Sequence, residues 1–213
     1  MKALVTGFEP FGSDPINPSL AAIRRLSPRL GELDLETRVL PTAFHRAIEA
    51  LEDAVATTDP DIVLCLGLAG GRAALSLERV AINIDDARMP DNDKRQPIDA
   101  PVVAGAPAAY FTNLPIKAAA AALRQAGLPA IVSNTAGTFV CNHVFYGLMH
   151  LAATRRPRIR GGFLHLPYLP EQASRQDGAP SMALDDIVRG VEIVLRVCAA
   201  RREDLVVPEG AMS

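Results

Sequence analysis

The chain has 213 residues, of which 49% are hydrophobic and 22% charged, and its formal net charge is −2. This length is sufficient for one α/β domain whose core needs neither disulfides nor metal ions. Charges of both signs are spread along the sequence, which argues against a basic stripe for nucleic acid and against a polybasic membrane anchor.

The first part of the sequence alternates apolar runs with helical patterns. A strand is predicted from Lys2 to Val5, a helix from Pro18 to Leu30 and a second strand from Leu35 to Leu40. Another helix is predicted with Thr42 as its N-cap, and Asp61 to Gly67 is typical of a strand covered on both faces. This alternation predicts a largely parallel sheet with helices on both sides.

The loop after the first strand places Phe8 and Phe11 among glycine and proline, in a chain that is only 5% aromatic. Two interpretations stay open, because these rings either contact a ligand or cover the end of the sheet. Neither GxGxxG nor GxxxxGK[ST] is present, so the loop is not a phosphate cradle. The loops Gly7 to Asp14, Gly67 to Arg72 and Asn134 to Thr138 all follow strands, and we expect them to meet at one edge of the sheet.

The middle of the chain carries an isolated carboxylate. Ala74 to Asp85 predicts a pair of strands or one long bent strand, and Glu78 interrupts its apolar residues. Glu78 is either on the solvent face of an edge strand or a carboxylate that orients a histidine. Arg88 to Pro101 is polar and rich in turn residues, as in long loops that line sites or interfaces. A helix is predicted from Asn113 to Gln125.

A strand, a turn and a helix are predicted in the segment around Cys141. The apolar run Ala130 to Val132 precedes a turn at Gly137, and Thr138 is a good N-cap, which makes Cys141 the third helical residue. A thiol there lies near unpaired N–H groups and the positive end of the helix dipole, which favours its thiolate. Alternatively Cys141 is an inert core thiol, since it also begins an apolar stripe along the helix.

The last part of the chain adds a strand and a helix. Arg160 to Pro167 is a predicted strand, and Met182 to Arg202 is a predicted amphipathic helix with Cys198 on its apolar face. Cys65 and Cys198 are predicted core residues. The three cysteines are far apart and form no CxxC pair, so we expect neither disulfides nor zinc. No apolar run has the length of a signal peptide core or a bilayer span, so we expect a cytoplasmic protein.

A cysteine nucleophile needs a histidine within hydrogen-bond reach. His143 is two residues away and points in another direction, and His150 is about 13 Å along the same helix. His45 belongs to another predicted helix, where it faces solvent. His165 remains, because the strand after a helix is expected to run parallel beside the strand before it, which brings its end to the start of that helix.

The histidine in turn needs a group that orients it. Glu78 is the predicted partner because it lies on a neighbouring predicted strand. Asp85 and Asp86 remain possible from the residues alone.

Several motifs extend over nearly the whole chain: TGFEPFG, GLAGGR, ERVAIN, DARMPDN, AGTFVCNH and GGFLHLPYLPEQ. With these motifs, of which AGTFVCNH is among the most specific, the chain resembles the pyroglutamyl peptidase type I family of cysteine peptidases. The resemblance implies hydrolysis of the bond after an N-terminal pyroglutamate (5-oxoproline) through an acyl-cysteine, without metal or cofactor. It also implies one domain over residues 1–213, a three-layer α/β/α sandwich around a twisted, mostly parallel mixed sheet of the phosphorylase/hydrolase type.

The matching motifs imply a role for individual residues. Cys141 would be the nucleophile, His165 the general base and then the general acid, and Glu78 the carboxylate that orients it. Arg88, or backbone N–H groups near it and near Cys141, would stabilise the oxyanion.

The resemblance also implies a pocket for an uncharged lactam, with Phe8 and Phe11 on the two sides of the ring. Such a ring needs flat apolar walls and a few hydrogen bonds, whereas the charge of a free N-terminal glutamate would be stranded there. Leu68 replaces a glutamine found in many relatives, and we expect it to act through its backbone carbonyl. Asp93 to Arg95 replaces a smaller turn that contains glycine. The remaining implied pocket residues are Asn17, Thr42, Met89, Phe139 and Val140.

Other functions remain open on the sequence. A nucleoside phosphorylase-like transferase needs an anion site, against which the missing phosphate motif counts. A redox-sensing or binding module would use the Cys141 thiol without turnover. The resemblance implies pyroglutamyl peptides as partners and a homo-oligomer, commonly a tetramer, and the apolar Ile193 and Val197 are candidates for a partner surface.

Overall fold

The computed structural model describes residues 1–210. A seven-stranded sheet with the strand order β2-β3-β1-β4-β9-β5-β8 forms its centre, and β6 and β7 form a separate antiparallel ribbon. The strands are β1 (Lys2–Phe8), β2 (Arg29–Leu30), β3 (Leu33–Leu40), β4 (Ile62–Leu68), β5 (Leu75–Glu78), β6 (Val80–Ile82), β7 (Ala109–Phe111), β8 (Ala130–Ser133) and β9 (Arg160–Leu166).

Helices cover both faces of the sheet, which confirms the predicted α/β/α sandwich. The helices are α1 (Pro18–Ile23), α2 (Arg46–Thr58), α3 (Ile116–Gln125), α4 (Val140–Thr154), α5 (Pro170–Ala173) and α6 (Leu184–Ala200). One core lies under α1, α3 and α6, and the other lies under α2 and α4. The sheet is mixed, since β2 and β5 pair antiparallel with their neighbours β3 and β9.

Strand β4 shows why its sequence is apolar throughout. Leu64 and Leu66 contribute to the core under α1 and α6, whereas Val63 and Cys65 contribute to the core under α4. Side chains alternate between the two faces of a strand, so Gly67 continues the face that α4 covers. Cys65 is therefore a core residue, as predicted.

The prediction that β9 lies parallel beside β8 was wrong. Strand β5 lies between them, parallel to β8 and antiparallel to β9, so β8 and β9 run in opposite directions. Helix α4, with 15 residues, connects β8 to β9 across the intervening strand β5. The order of strands depends on long-range pairing, which the local pattern of a βαβ segment does not contain.

Two helix boundaries also differ from the predictions. Helix α1 ends at Ile23, and the following residues turn so that β2 can pair with β3. Helix α2 begins at Arg46 after His45, which has a φ of 64° and is exposed to solvent. Thr42 is not its cap, because the Thr42 hydroxyl donates to the backbone oxygen of Glu9.

The segment that departs from the resemblance has a defined conformation. Lys94 has a φ of 67°, a left-handed backbone conformation that glycine adopts most readily. Asp93 accepts a hydrogen bond of 2.8 Å from Arg46, and the N–H groups of Asp93 and Arg95 donate to Asp91.

Ile193 and Val197 on α6 are half-buried, with part of each side chain packed against the core. Within residues 1–210, no helix combines the length and the apolar character that crossing a membrane requires.

Candidate active site

A cavity of about 390 Å³ opens where β1, β4, the loop before α4 and the loop from residue 83 to 108 meet. Every residue predicted for the site lines it, except Glu78 and His165, which lie behind Cys141. The sequence did not single out Gly137 and Thr138 as lining residues, nor Asp86 as a wall of the cavity. The lining residues are Phe8, Phe11, Asn17, Thr42, Leu68, Asp86, Arg88, Met89, Gly137, Thr138, Phe139, Val140 and Cys141.

Cys141 is the second residue of α4 and not the third. The helix begins at Val140 with Phe139 in the extended conformation before it, and no side chain caps this end. Thr138, the predicted cap, instead donates from its hydroxyl to the backbone oxygen of Asp86 at 2.8 Å. The first N–H groups of α4 therefore stay available at the cavity, since the first turn of a helix has no intrahelical acceptors.

The sulfur of Cys141 occupies the space above Gly67. A Cβ atom on Gly67 would lie 2.9 Å from Sγ and 2.7 Å from Cζ of Phe163, so only glycine fits. Gly67 pairs in register with His165 on the parallel neighbour β9. Paired residues direct their side chains to the same face at a strand spacing of about 4.8 Å, so the thiol and the imidazole are neighbours on this face.

A buried carboxylate orients the imidazole. Nδ1 of His165 and Oε1 of Glu78 are 2.7 Å apart, and Glu78 has 0% exposed surface. Nδ1 is occupied by this bond, which leaves Nε2 as the ring nitrogen for proton transfer. Arg72 also donates to Oε1 of Glu78, at 2.7 Å. Of the two alternatives that the sequence left open for Glu78, the structure corresponds to the carboxylate that holds a histidine.

The surroundings of Cys141 raise the pKa of its thiol, which opposes the effect expected from the helix dipole. Burial, and then the charge of Glu78 and the nearby Cys65, raise the pKa of Cys141 to about 12, although the Arg72 guanidinium opposes this. A helix dipole favours an anion by about 1 kcal/mol, which does not offset such burial. The proton of this thiol therefore has to leave during the reaction, to a base.

The other histidines are engaged elsewhere. Nδ1 of His143 lies 2.7 Å from Asp85, and its Nε2 accepts a hydrogen bond from the backbone N–H of His45. His150 pairs with the hydroxyl of Tyr110 at 3.0 Å. Asp85 is thus used by another histidine, and His165 is the histidine that the fold brings beside Cys141.

Aromatic rings form the walls of the cavity. Phe8 is the last residue of β1 and is buried, so the strand extends further than predicted. Phe11 contacts Phe139 edge to face with ring centroids 5.3 Å apart, and Phe139 makes the same kind of contact with Phe44. These edge-to-face contacts hold the rings of Phe11 and Phe139 in place, and both rings line the cavity.

Polar side chains at the cavity are held by the backbone around it. Asn17 accepts hydrogen bonds from the N–H and the hydroxyl of Ser19 and donates to the oxygen of Glu9. Thr42 binds the same Glu9 through its N–H and its hydroxyl. Both residues line the cavity, and both also secure its shape.

The loop from residue 83 to 108 supplies the rim of the cavity. Arg88 and Met89 are exposed there, and the N–H of Asp86 donates to the oxygen of Thr138 at 2.9 Å. This backbone bond and the reverse bond from the Thr138 hydroxyl tie the rim to the start of α4. A guanidinium therefore lies on the same cavity as the sulfur.

The site thus combines the parts of a cysteine acyl-transfer centre. It has a thiol at a helix N-terminus, an imidazole whose one nitrogen is fixed by a carboxylate, and a cavity with aromatic walls. Within residues 1–210, no three His, Cys, Asp or Glu side chains form a group that could hold a metal ion.

Comparison with known proteins gives consistent matches along the chain. The family model for pyroglutamyl peptidase matches residues 1–201. A pyrrolidone-carboxylate peptidase of Brevibacillus brevis is 49% identical over 211 residues, which cover 99% of this chain and 98% of the relative. Pyrrolidone-carboxylate peptidase 1 of Ralstonia nicotianae is 54% identical over 203 residues, which cover 95% of this chain and 94% of the relative.

A solved structure agrees with this result. The crystal structure of pyroglutamyl peptidase I from Bacillus amyloliquefaciens matches with a TM-score of 0.94 and 46% identity, and the match covers 96% of this chain and 99% of that one. Sequence, fold and site chemistry lead to the same assignment. This chain belongs to the pyroglutamyl peptidase family.

Proposed function

We propose that this protein is a cysteine exopeptidase, a thiol-dependent omega peptidase that hydrolyses the bond after an N-terminal pyroglutamate. The observation that carries the proposal is the position of the Cys141 sulfur, which lies on Gly67 beside the carboxylate-bound His165 and faces an aromatic cavity. The family matches support the substrate class. No observation favours a nucleoside phosphorylase-like transferase or a redox sensor.

The first half of the reaction forms an acyl-cysteine. Sγ of Cys141 attacks the carbonyl carbon of the pyroglutamyl residue while Nε2 of His165 takes the thiol proton. The carbonyl oxygen becomes an oxyanion, which the first N–H groups of α4 and the Arg88 guanidinium stabilise. His165 then gives its proton to the leaving amine, and the C–N bond breaks to leave a thioester on Cys141.

The second half releases pyroglutamate. His165 takes a proton from a water molecule, whose oxygen attacks the thioester carbon. The tetrahedral intermediate collapses, the C–S bond breaks, and the sulfur recovers the proton from His165. Glu78 holds the imidazole through Nδ1 and stabilises the imidazolium that forms twice in the cycle.

The cavity accounts for the choice of an uncharged ring. Phe8 and Phe11 offer flat faces to the lactam, with the other contacts supplied by Asn17, Thr42, Leu68, Met89, Phe139 and Val140. A buried carboxylate for an ammonium group is not among the residues that line the cavity. The Asp86 carboxylate at the cavity is exposed to water. A free N-terminal glutamine or glutamate would therefore bring its charged amine against apolar walls without a buried partner, which disfavours it.

A fluorogenic amide of pyroglutamate tests the proposal. The purified protein is expected to release the fluorophore, and Cys141→Ser and His165→Ala are each expected to lower kcat/KM by at least about a thousandfold, as members of a catalytic unit do. Cys198→Ala is the matched control, because this thiol is buried in the other core and far from the cavity. Wild-type turnover in either active-site variant would refute the proposal.

We further propose that residues 1–213 form one catalytic domain, that the protein is a homo-oligomer, commonly a tetramer, and that it works in the cytoplasm. Exposed apolar side chains, such as Phe111 at 68% and Ile98 at 74% exposure, support association with another copy. Three unpaired cysteines support a reducing compartment. Light scattering on the eluted protein tests the homo-oligomer, since a monomer mass would contradict it.

A further inference from the structure

Arg72 contacts the candidate site from behind and does not line its cavity. Its Nη1 donates to Oε1 of Glu78 at 2.7 Å and approaches the hydroxyl of Ser133 at 3.4 Å, and its Nη2 donates to the backbone oxygen of Thr135 at 3.1 Å. One guanidinium therefore joins the end of β5 to the segment that leads into α4.

The carboxylate of Glu78 is buried and only partly hydrogen-bonded. The carboxylate has 0% exposed surface, and its second oxygen, Oε2, has no hydrogen-bond partner within residues 1–210. Among the described residues, two side chains reach the carboxylate, those of His165 and Arg72, and both bind Oε1. A buried carboxylate with a single neutral donor is driven towards its protonated form, whereas an adjacent guanidinium favours the charged form.

We propose that Arg72 is a positioning residue for the Glu78–His165 pair, beside which it places its positive charge and which it keeps aligned with the sulfur of Cys141. The inference rests on the proposed function and extends it by one residue. Arg72 never touches the substrate in this proposal, and its effect passes through Glu78.

The bond to Thr135 connects the Arg72 side chain to the segment that leads to Cys141. Ser133 ends β8, and the segment up to Phe139 leads into α4, which begins at Val140, one residue before Cys141. Ser133 and Thr135 are themselves linked, because the Ser133 hydroxyl donates to the Thr135 oxygen at 3.1 Å. Arg72 thus ties the base side of the site to the nucleophile side through one planar fork, which an ammonium group cannot reproduce.

The test compares Arg72→Met, Arg72→Lys and the control Arg79→Met. Arg79 is the next arginine along the chain and also holds this segment, through Asn134 at 2.9 Å, but it makes no bond to Glu78. Both kcat and KM for the pyroglutamyl amide are measured from about pH 5 to about pH 10, which spans the acid and base limbs of the profile.

For Arg72→Met we expect kcat to fall about 10-fold to 100-fold while KM stays within about threefold, because the alignment is lost and the cavity is not. The acid limb of the kcat/KM profile should move to higher pH by about one unit, because the buried carboxylate loses its cation. Arg72→Lys keeps a charge and should keep the position of the limb, with kcat lowered about threefold to tenfold. Arg79→Met should leave the limb unmoved.

An unmoved limb in folded Arg72→Met would overturn the inference, since a purely structural clamp changes stability and not the profile. If Arg72→Met does not fold, Arg72→Lys decides, and wild-type kcat in that variant would contradict the proposal. Alkylation of Cys141, followed by mass spectrometry, separates this inference from the proposed function. Its rise with pH should shift to higher pH in Arg72→Met even if the wild-type protein cleaves no pyroglutamyl amide, because Arg72 lowers the pKa of Cys141.

Discussion

At the scale of single residues, Gly67 places the nucleophile. The Cys141 sulfur and the Phe163 ring both occupy the space of a Gly67 side chain, at 2.9 and 2.7 Å from an ideal Cβ. A residue without a side chain lets the sulfur approach the strand beside His165. Any larger residue pushes the sulfur or the ring away from this position.

We expect Gly67→Ala to lower kcat by about a hundredfold, because a displacement of about 1 Å at the nucleophile has such an effect. The overpacked methyl group should also lower the free energy of unfolding by about 1 to 3 kcal/mol. Gly210→Ala is the control, since a Cβ there meets no atom of residues 1–210 within 4 Å. Steady-state kinetics and denaturant unfolding measure both effects, and an unchanged kcat would contradict the role of Gly67.

Also at the residue scale, the state of the Cys141 thiol predicts its reactivity. Burial and the Glu78 charge raise the pKa of Cys141 to about 12, which favours the thiol over the thiolate at neutral pH. We expect the rate of its alkylation by iodoacetamide to rise steadily with pH above 7, without a plateau near neutrality, because the thiolate is the reactive form. A plateau at neutral pH would indicate a standing thiolate–imidazolium pair. Ligands that contain 5-oxoproline should block the reaction.

At the scale of elements, His143 connects the parts that surround the cavity. It lies on α4, pairs with Asp85 in the rim loop, and accepts a hydrogen bond from His45 at the start of α2. Both side chains of the His143–Asp85 pair are almost completely buried. Three elements therefore depend on one buried pair for their relative position.

Removing one member of this pair should destabilise the protein strongly. We expect His143→Ala to lower the free energy of unfolding by about 3 to 5 kcal/mol, because Asp85 is left buried without its partner. His150→Ala removes a partly exposed histidine from the same helix and should cost only about 1 kcal/mol. Denaturant unfolding checks both values, and a double variant His143→Met, Asp85→Leu should recover part of the loss if the unpaired charge is its cause.

At the scale of the whole molecule, cysteines in both cores make stability depend on alkaline pH. Burial is the main cause that raises the pKa of Cys65 and of Cys198 from 9.0 to about 12. The folded protein holds these protons more tightly than the unfolded chain does. The stabilisation that the two protonated thiols add to the free energy of unfolding is complete below pH 9. It is lost as the pH rises towards about 12.

We expect each of the two thiols to steepen the fall of the unfolding free energy by about 1.4 kcal/mol per pH unit in this window. Cys198→Ala should therefore have a flatter dependence than the wild type, although it is less stable near neutral pH because of the cavity that it leaves. Urea unfolding at several pH values above 8 measures the difference. Parallel curves for the two proteins would show that Cys198 does not contribute.

The sequence by itself determined the class of the fold, most strands and helices, and the residues of the candidate site. These follow from local patterns: the apolar run of β4, the stripe of α6, and motifs such as AGTFVCNH that the chain shares with a family. The burial of Cys65 and Cys198 could be predicted for the same reason, because periodicity alone decides which side of an element faces a core.

Only the tertiary structure decided how these parts meet. The insertion of β5 between β9 and β8, the seat of the Cys141 sulfur on Gly67 and the bond from Arg72 to Glu78 join residues that are far apart in the chain. The charge state of Cys141 belongs here too, since a helix terminus predicts a thiolate while burial among β4, β9 and Glu78 predicts a thiol. Local sequence encodes propensity and facing, whereas pairing between distant strands and burial of a charge are set by the complete packing.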